Sequence, residues 1–447
     1  MANKLWDKGY DEDALIDAFT VGHDRELDLE LAPYDILGTM AHITMLESVG
    51  LLPKADLELM LPELRALYSL ASEGKFEIDP DVEDVHSQVE LLLTRSLGDI
   101  GKKVHTGRSR NDQVLVDLKL FTRARIGKTV RKVESLFKTL QEASEKHKDV
   151  LIPGYTHLQV AMPSSFGLWF GAYAESLTGD MTMLKAAWDV VNRNPLGSAA
   201  GYGSSAPLDR TMTTKLLGFD DLDYNSIYAQ MTRGKMERAV AFAYSSVAET
   251  VGRLAFDGCL YSSQNFGFVK LPDALTTGSS IMPHKKNPDV FELVRARCNK
   301  IQGAPVTIRM ITGNLPSGYF RDMQILKEVF FPIFDEMDDC LDIVEYAIKG
   351  MEVNTDVMSD PKYKLAFSVE KVNDLVAEGV PFRDAYRKVA DSIRDGSFEY
   401  NGGLRHTHEG SIGNLCNDKI AARMEDLVSS FGFDKVEAAV KALLESK

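Results

Sequence analysis

The chain has 447 residues, 44% of them hydrophobic and 26% charged, with a formal net charge of −15 at pH 7. That length exceeds one small core and predicts two or three domains, while the acidic balance argues against a nucleic-acid or anionic-membrane partner. An anionic substrate must then be met by a local basic pocket inside an adverse overall field.

The first residues, MANKLWDKGYDEDAL, are polar and acidic and do not read as a signal peptide. No uncharged apolar run approaches membrane-spanning length, so the expected location is cytoplasmic. Helical signals dominate the rest. From Leu118 apolar residues recur at Phe121, Ile126, Val130, Val133, Phe137 and Leu140, close to three-four spacing. A less complete series is Val240, Val247, Val251 and Leu254. Another runs Leu326, Phe330, Ile333, Met337, Cys340, Val344 and Ile348, with Pro332 inside it and expected to kink it. Such runs outlast the usual ~8–20 residues of a globular helix and predict a bundle of long helices.

Loop signals interrupt the pattern at 107–109, 153–155, 194–207, 276–288 and 359–361. The expected fold is therefore mainly all-α, with at most short hairpins. An N-terminal domain spans 1–112, a central helical bundle 113–361 and a C-terminal helical domain 362–447. Cys259, Cys298, Cys340 and Cys416 form no close pair in sequence, which argues against a zinc site, a redox dithiol or a disulfide framework. They read mostly as small buried hydrophobes.

Three polar loops carry the candidate chemistry. Residues 278–288 read Gly-Ser-Ser-Ile-Met-Pro-His-Lys-Lys-Asn-Pro. Asn287 is the expected N-cap and Pro288 the expected first helical residue, so free amides would face the loop and, with Lys285 and Lys286, attract a carboxylate or phosphate. The plain alternative is an exposed basic loop before a helix. In 105–113, Arg108 and Arg110 flank Ser109 and suit carboxylate recognition, with Asn111 and Asp112 as possible caps; a capped, solvated helix start is the plain alternative. In 154–159, His157 follows a Pro-Gly turn between side chains that could hydrogen-bond a substrate. Glu292 projects from the first turns of the helix after 288 and could hold an imidazole in one tautomer. Two weaker patterns fail. Residues 201–206 resemble a dinucleotide loop, but no strand precedes them and Pro207 follows; His406 and His408 have nothing nearby to complete a ligand set.

Six segments in order then resemble the fumarase/aspartase superfamily, and within it the argininosuccinate lyase branch: EDVHSQVE (83–90), GKKVHTGRSRNDQV (101–114), PGYTHLQVAMP (153–163), NPLGSAAG (194–201), GSSIMPHKKNPD (278–289) and LPSGYFRDMQILKE (315–328). The resemblance implies a homotetramer around a helical bundle, with each site built from three subunits. It also implies reversible elimination of fumarate from argininosuccinate to release arginine, with no metal or organic cofactor. Catalytic residues carried over are His157, Ser279, Lys285 and Glu292. Ser279 is often assigned as the base and His157 the opposite proton, though the two roles are also assigned in reverse. Substrate-binding residues carried over are His86, Ser109, Arg110, Asn111, Thr156, Asn287, Tyr319, Gln324 and Lys327. The chain departs from the family pattern at His284, usually Gln there and His in adenylosuccinate lyases, and at 6–10 and 19–22. The rival readings are another superfamily lyase, above all adenylosuccinate lyase, and a catalytically silent structural homologue. Loss of His157, Ser279 or Lys285 would favour the silent homologue, and all three are present.

Overall fold

The computed structural model describes residues 14–446, so the departure at 6–10 lies outside the described residues. Five helices open it: α1 (Ala14–Val21), α2 (Asp24–Asp28), α3 (Ala32–Ser48), α4 (Lys54–Ser72) and α5 (Val85–Leu97). The bundle begins with α6 (Arg110–Lys146) and passes through a hairpin, β1 (Leu151–Thr156) and β2 (Gln159–Ser165), into α7 (Phe166–Val191). Strand β3 (Arg193–Asn194), helix α8 (Arg210–Leu216), strand β4 (Asp221–Leu222) and helix α9 (Ser226–Met231) lead to α10 (Lys235–Tyr261). Strands β5 (Val269–Lys270), β6 (Thr277–Gly278) and β7 (Lys286–Asn287) precede α11 (Asp289–Ile311), α12 (Leu326–Phe330), α13 (Pro332–Gly350) and strand β8 (Glu352–Val353). The chain ends in α14 (Ser368–Ala377), α15 (Phe382–Arg394), α16 (Asn417–Ser429) and α17 (Phe433–Glu445).

The mainly all-α expectation holds, and the periodic runs form its interior. α6 holds 37 residues and at 1.5 Å per residue is about 55 Å long. Its apolar series from Leu118 to Leu140 is buried along one stripe, each side chain contributing about 2 kcal/mol by leaving water. α6 packs on α7 and α13, and α10 lies between α7 and α11. The α10–α11 approach needs Gly258, where a Cβ would fall 2.7 Å from the Phe291 ring. Pro332 falls at the junction of α12 and α13 within the third series. It opens α13 one residue after α12, while Phe331 keeps helical dihedrals and donates to the Lys327 carbonyl at 3.0 Å.

One apolar core runs through the N-terminal helices, the bundle and α16–α17, while Val372, Ala385, Val389 and Phe398 form a small core of their own around α14 and α15. The cysteines, scattered in sequence, are less so in space: Cys298 on α11 and Cys340 on α13 are both buried and their side chains meet. Among the described residues, the sheets are two-stranded. The β1–β2 register pairs Thr156 with Gln159, leaving His157 and Leu158 as a two-residue turn. Both have positive φ, 55° and 56°, which a hairpin of this length requires and which glycine or asparagine normally supplies. Each non-glycine residue held there costs roughly 1 kcal/mol or more.

Candidate active site

One cavity of about 210 Å³ gathers residues from five parts of the chain. α2 supplies Asp24 and Asp28; the start of α5 supplies Glu83, Asp84 and His86; and the first turn of α6 supplies Arg110 and Asn111. Arg233, just before α10, and Tyr319, Arg321, Gln324 and Lys327 close it. Six residues singled out in the sequence therefore meet here: His86, Arg110, Asn111, Tyr319, Gln324 and Lys327.

The cations of this cavity are not free. Lys327 is buried, its Nζ 2.7 Å from Asp24 Oδ1 and also bonded to Asp28. Burial opposes its charge, but the two aspartates outweigh that and raise its pKa. Burial pushes the Asp24 carboxyl up to about 6 in spite of Lys327. Arg110 spans Glu83 at 3.0 Å and Asp84 at 3.1 Å and donates to Ser87 Oγ at 2.6 Å. Arg321 reaches Glu83 at 3.0 Å and the Thr20 carbonyl at 2.9 Å, and Gln324 donates to Thr20 and Val21 carbonyls. Arg110 and Lys327, carried over as substrate-binding residues, both already have acidic partners within the chain. Sequence reasoning missed Asp24, Asp28, Arg233 and Arg321 as cavity residues. Glu83 and Asp84 stood in a quoted motif without a role, and the α2 acids carried no signal beyond local composition.

His86 forms part of the cavity wall. Its Nδ1 lies 2.7 Å from Asp35 Oδ1 and 3.4 Å from Asp117 Oδ2. Burial alone would favour the neutral ring, but Asp35, then Asp84 and Asp28, reverse this and raise its pKa. Arg108 corrects the expectation that both arginines of this loop serve carboxylate recognition. It does not reach the cavity but turns inward and donates to Thr39 Oγ1 at 3.0 Å, where it faces Asp35, Asp112 and Asp117. Only one of the two arginines flanking Ser109 is placed to meet a ligand.

Ser109 caps α6: its Oγ accepts the Asn111 amide at 3.2 Å and its own amide donates to Asp112 Oδ1 at 2.9 Å, a capping box. The other oxygen of Asp112 accepts the amides of Gly197 and Ala199, both at 2.9 Å. One fully buried carboxylate thus joins the GRSRND segment to NPLGSAAG.

The remaining candidates lie elsewhere. The β6–β7 ladder pairs Thr277 with Asn287 and Gly278 with Lys286, so residues 279–285 form a loop pinned at its stem. Lys286 is tied to Asp273, and Thr277 to Asp289. At the loop's start, Ser279 Oγ accepts the amides of Ile281 at 3.3 Å and Met282 at 3.1 Å. The expected cap is corrected: Asn287 belongs to β7, Pro288 occupies the cap position of α11, and no side chain caps that end. Asp289 and Glu292 already place negative charge in the first turn, so this helix end is not an open anion site. Thr156, His157, Lys285 and Glu292 are exposed, Ser279 is half-buried, and none of them lines the cavity. Glu292 makes no bond to His157 within the described chain. His406 bonds Glu370 at 2.9 Å instead of joining a ligand set.

Residues 9–303 match the protein family described as Lyase. The chain is 62% identical over 444 residues to argininosuccinate lyase of Parabacteroides distasonis, covering 99% of this chain and 100% of that protein. It is 63% identical over 444 residues to argininosuccinate lyase of Bacteroides thetaiotaomicron, with coverage of 99% and 100%. Among solved structures, an EDDS lyase variant with bound fumarate superposes with a TM-score of 0.75 at 22% identity, over 97% of this chain and 93% of that one. Class II fumarase from Schistosoma mansoni gives 0.67 at 16% identity, over 92% and 94%. These two share the fold.

Proposed function

The chain belongs to the argininosuccinate lyase family of the fumarase/aspartase superfamily, and from that premise we propose how it eliminates fumarate from argininosuccinate to release arginine, reversibly. The observation that carries the activity is identity above 60% along essentially the whole chain. The cavity around Arg110, Asn111, Tyr319, Gln324 and Lys327 receives the substrate. Its mixture of buried cations and acids suits a ligand that itself carries carboxylates beside amino and guanidinium groups.

The reaction removes a weakly acidic proton from the carbon beside a carboxylate, then breaks the C–N bond so that its electron pair leaves on a guanidinium nitrogen. Carbanion charge spreads into the carboxylate, where fixed donors stabilise it; Lys285 and Asn287 serve there. Ser279 is the base. The two backbone amides aimed at its Oγ favour the alkoxide, and Lys285 adds positive charge. His157, oriented by Glu292, delivers a proton to the departing nitrogen. Thr156 and Ser109 bind substrate beside these groups.

Because the proton-transfer residues lie outside the cavity of their own chain, the working site joins them to the cavity of other subunits in a homotetramer. Long bundle helices leave Phe242, Phe256, Leu293, Val306 and Met310 48–76% exposed in the single chain, an apolar surface suited to a second copy. We place the enzyme in the cytoplasm; among the described residues no helix is long and apolar enough to cross a membrane. The test is fumarate formation, followed by ultraviolet absorbance, with argininosuccinate and adenylosuccinate offered separately. Activity on argininosuccinate alone is expected. Activity on adenylosuccinate alone would give His284 precedence over the arginine-rich loop, and activity on neither would leave a structural homologue.

A further inference from the structure

His86 enters the cavity from the first turn of α5, backed by two carboxylates that solvent does not reach. Asp35 comes from α3 and Asp117 from α6, and both are 0% exposed. Asp35 Oδ1 takes the His86 contact at 2.7 Å and a hydrogen bond from Gln113 Nε2, also at 2.7 Å. Asp35 Oδ2 and both oxygens of Asp117 are sealed from solvent and receive no N–H or hydroxyl hydrogen bond among the described residues, while the two carboxyls bond to each other. Two buried carboxylates in contact cannot both stay charged at acceptable cost. Burial, reinforced by the charge of Asp35, pushes the Asp117 carboxyl well above its ordinary range, whereas His86 and Arg108 hold Asp35 below it against burial. The pair therefore carries a single negative charge, placed on the oxygen that faces the imidazole.

The three donor atoms of Asp35, His86 and Asp117 lie within 4.8 Å of one another, a spacing a metal ion could use. The 2.7 Å separation of Nδ1 and Oδ1 identifies a proton instead, because two ligands about 2.1 Å from one ion stay about 3 Å or more apart. Around the ring, Asp28 and Asp84 add negative charge, while Arg108 and His105 face the cluster as well. With Nδ1 committed to Asp35, Nε2 is left without a partner among the described residues, and it is not among the sealed atoms. Lys327, Arg110 and Arg321 have their counter-charges in the cavity wall; His86 has its principal one behind it.

We propose that Asp35, backed by Asp117, is a positioning residue that holds His86 as an imidazolium whose Nε2–H donates to a carboxylate of the bound substrate. This rests on the reading that the cavity receives argininosuccinate. Asp35→Asn keeps the shape and an acceptor for Nδ1–H but removes the charge. The expected result is a KM for argininosuccinate raised tenfold or more, and a new pH dependence in which KM climbs as pH passes the ordinary histidine range near 6.5. The parent KM changes over that range only through Asp24, whose carboxyl is pushed up to about 6 in the same cavity, and shows no step from His86. His86→Leu raises KM tenfold or more, and His86→Gln, which restores an amide N–H near the Nε2 position, recovers most of that loss without pH dependence. Gln324→Ala, across the cavity, tests the cavity itself. If Gln324→Ala raises KM while Asp35→Asn leaves both KM and its pH profile as in the parent, the positioning role is overturned and the cavity reading stands. If none of these variants changes KM, the cavity reading has failed. Should Asp35→Asn not fold, the His86 pair decides: equal KM for His86→Leu and the parent overturns the proposal.

Discussion

Asp112 offers the sharpest test of how the start of α6 and the 194–201 loop are held together. It is fully buried and accepts three backbone amides, those of Ser109, Gly197 and Ala199, all at 2.9 Å. Asp112→Asn preserves size but keeps one acceptor oxygen and turns an NH2 group on the remaining donors. Hydrogen bonds to a charged acceptor contribute about 1.5–3 kcal/mol each, so one or two are lost. Burial of the charge, which raises the Asp112 pKa, returns part of that, and a net loss of about 2–4 kcal/mol remains. If the loss is local, amides in 194–201 exchange with solvent about 30- to 1000-fold faster, since about 1.4 kcal/mol is a factor of ten. Hydrogen exchange read by mass spectrometry over that segment measures it directly, and KM should rise as Arg110 and Asn111 lose their fixed helix start. Exchange accelerated less than threefold, with KM unchanged, would refute the idea that this carboxylate joins the two loops.

Replacing His157 with Asn is expected to lower kcat by about 10²–10⁴, the size of a general acid–base contribution, with assembly intact by light scattering; unchanged turnover removes it from the mechanism. Ser279→Ala should show a similar loss, and full activity there would mean the loop serine is not the base. Mixing two inactive variants, one altered at His157 and one at Ser279, should recover activity through hybrid tetramers, and none despite demonstrated subunit exchange would argue against shared sites. Asp24 has a folded pKa of about 6 against an ordinary 3.8. A raised pKa gives stability that is present below about 3.8 and lost as pH rises through about 6. Asp24→Asn, which cannot ionise, should therefore gain thermal stability over the parent between pH 4 and pH 7, by at most about 3 kcal/mol at about 1.36 kcal/mol per pH unit; an equal offset at both pH values would contradict it.

The bundle was legible because burial writes a period into the chain: every apolar residue picked out from Leu118 to Leu140 and from Leu326 to Ile348 is interior. Partners distant in sequence were not. Nothing near Lys327 announces Asp24 and Asp28, about 300 positions away, and only folding shows that its charge is already matched. Arg108 and Arg110 are two apart at a helix start, so they face different directions; which one turns inward depends on Thr39 and the acids beneath it. The cap of α11 moved by one residue because Asn287 is engaged in a strand ladder that no local propensity reports. His157 was singled out from its loop, but the paired left-handed turn that carries it depends on the register of two strands.

The matched charges of the cavity have a consequence for what stays out of it. An anion entering beside Lys327 or Arg110 must compete with Asp24, Asp28, Glu83 and Asp84 for their hydrogen bonds. Displacing such a carboxylate leaves it exposed to its own burial cost unless the newcomer also brings a cation to receive it. Sulfate and phosphate bring none. Taken as the substrate pocket proposed above, the cavity favours a molecule that replaces both halves of each internal pair at once.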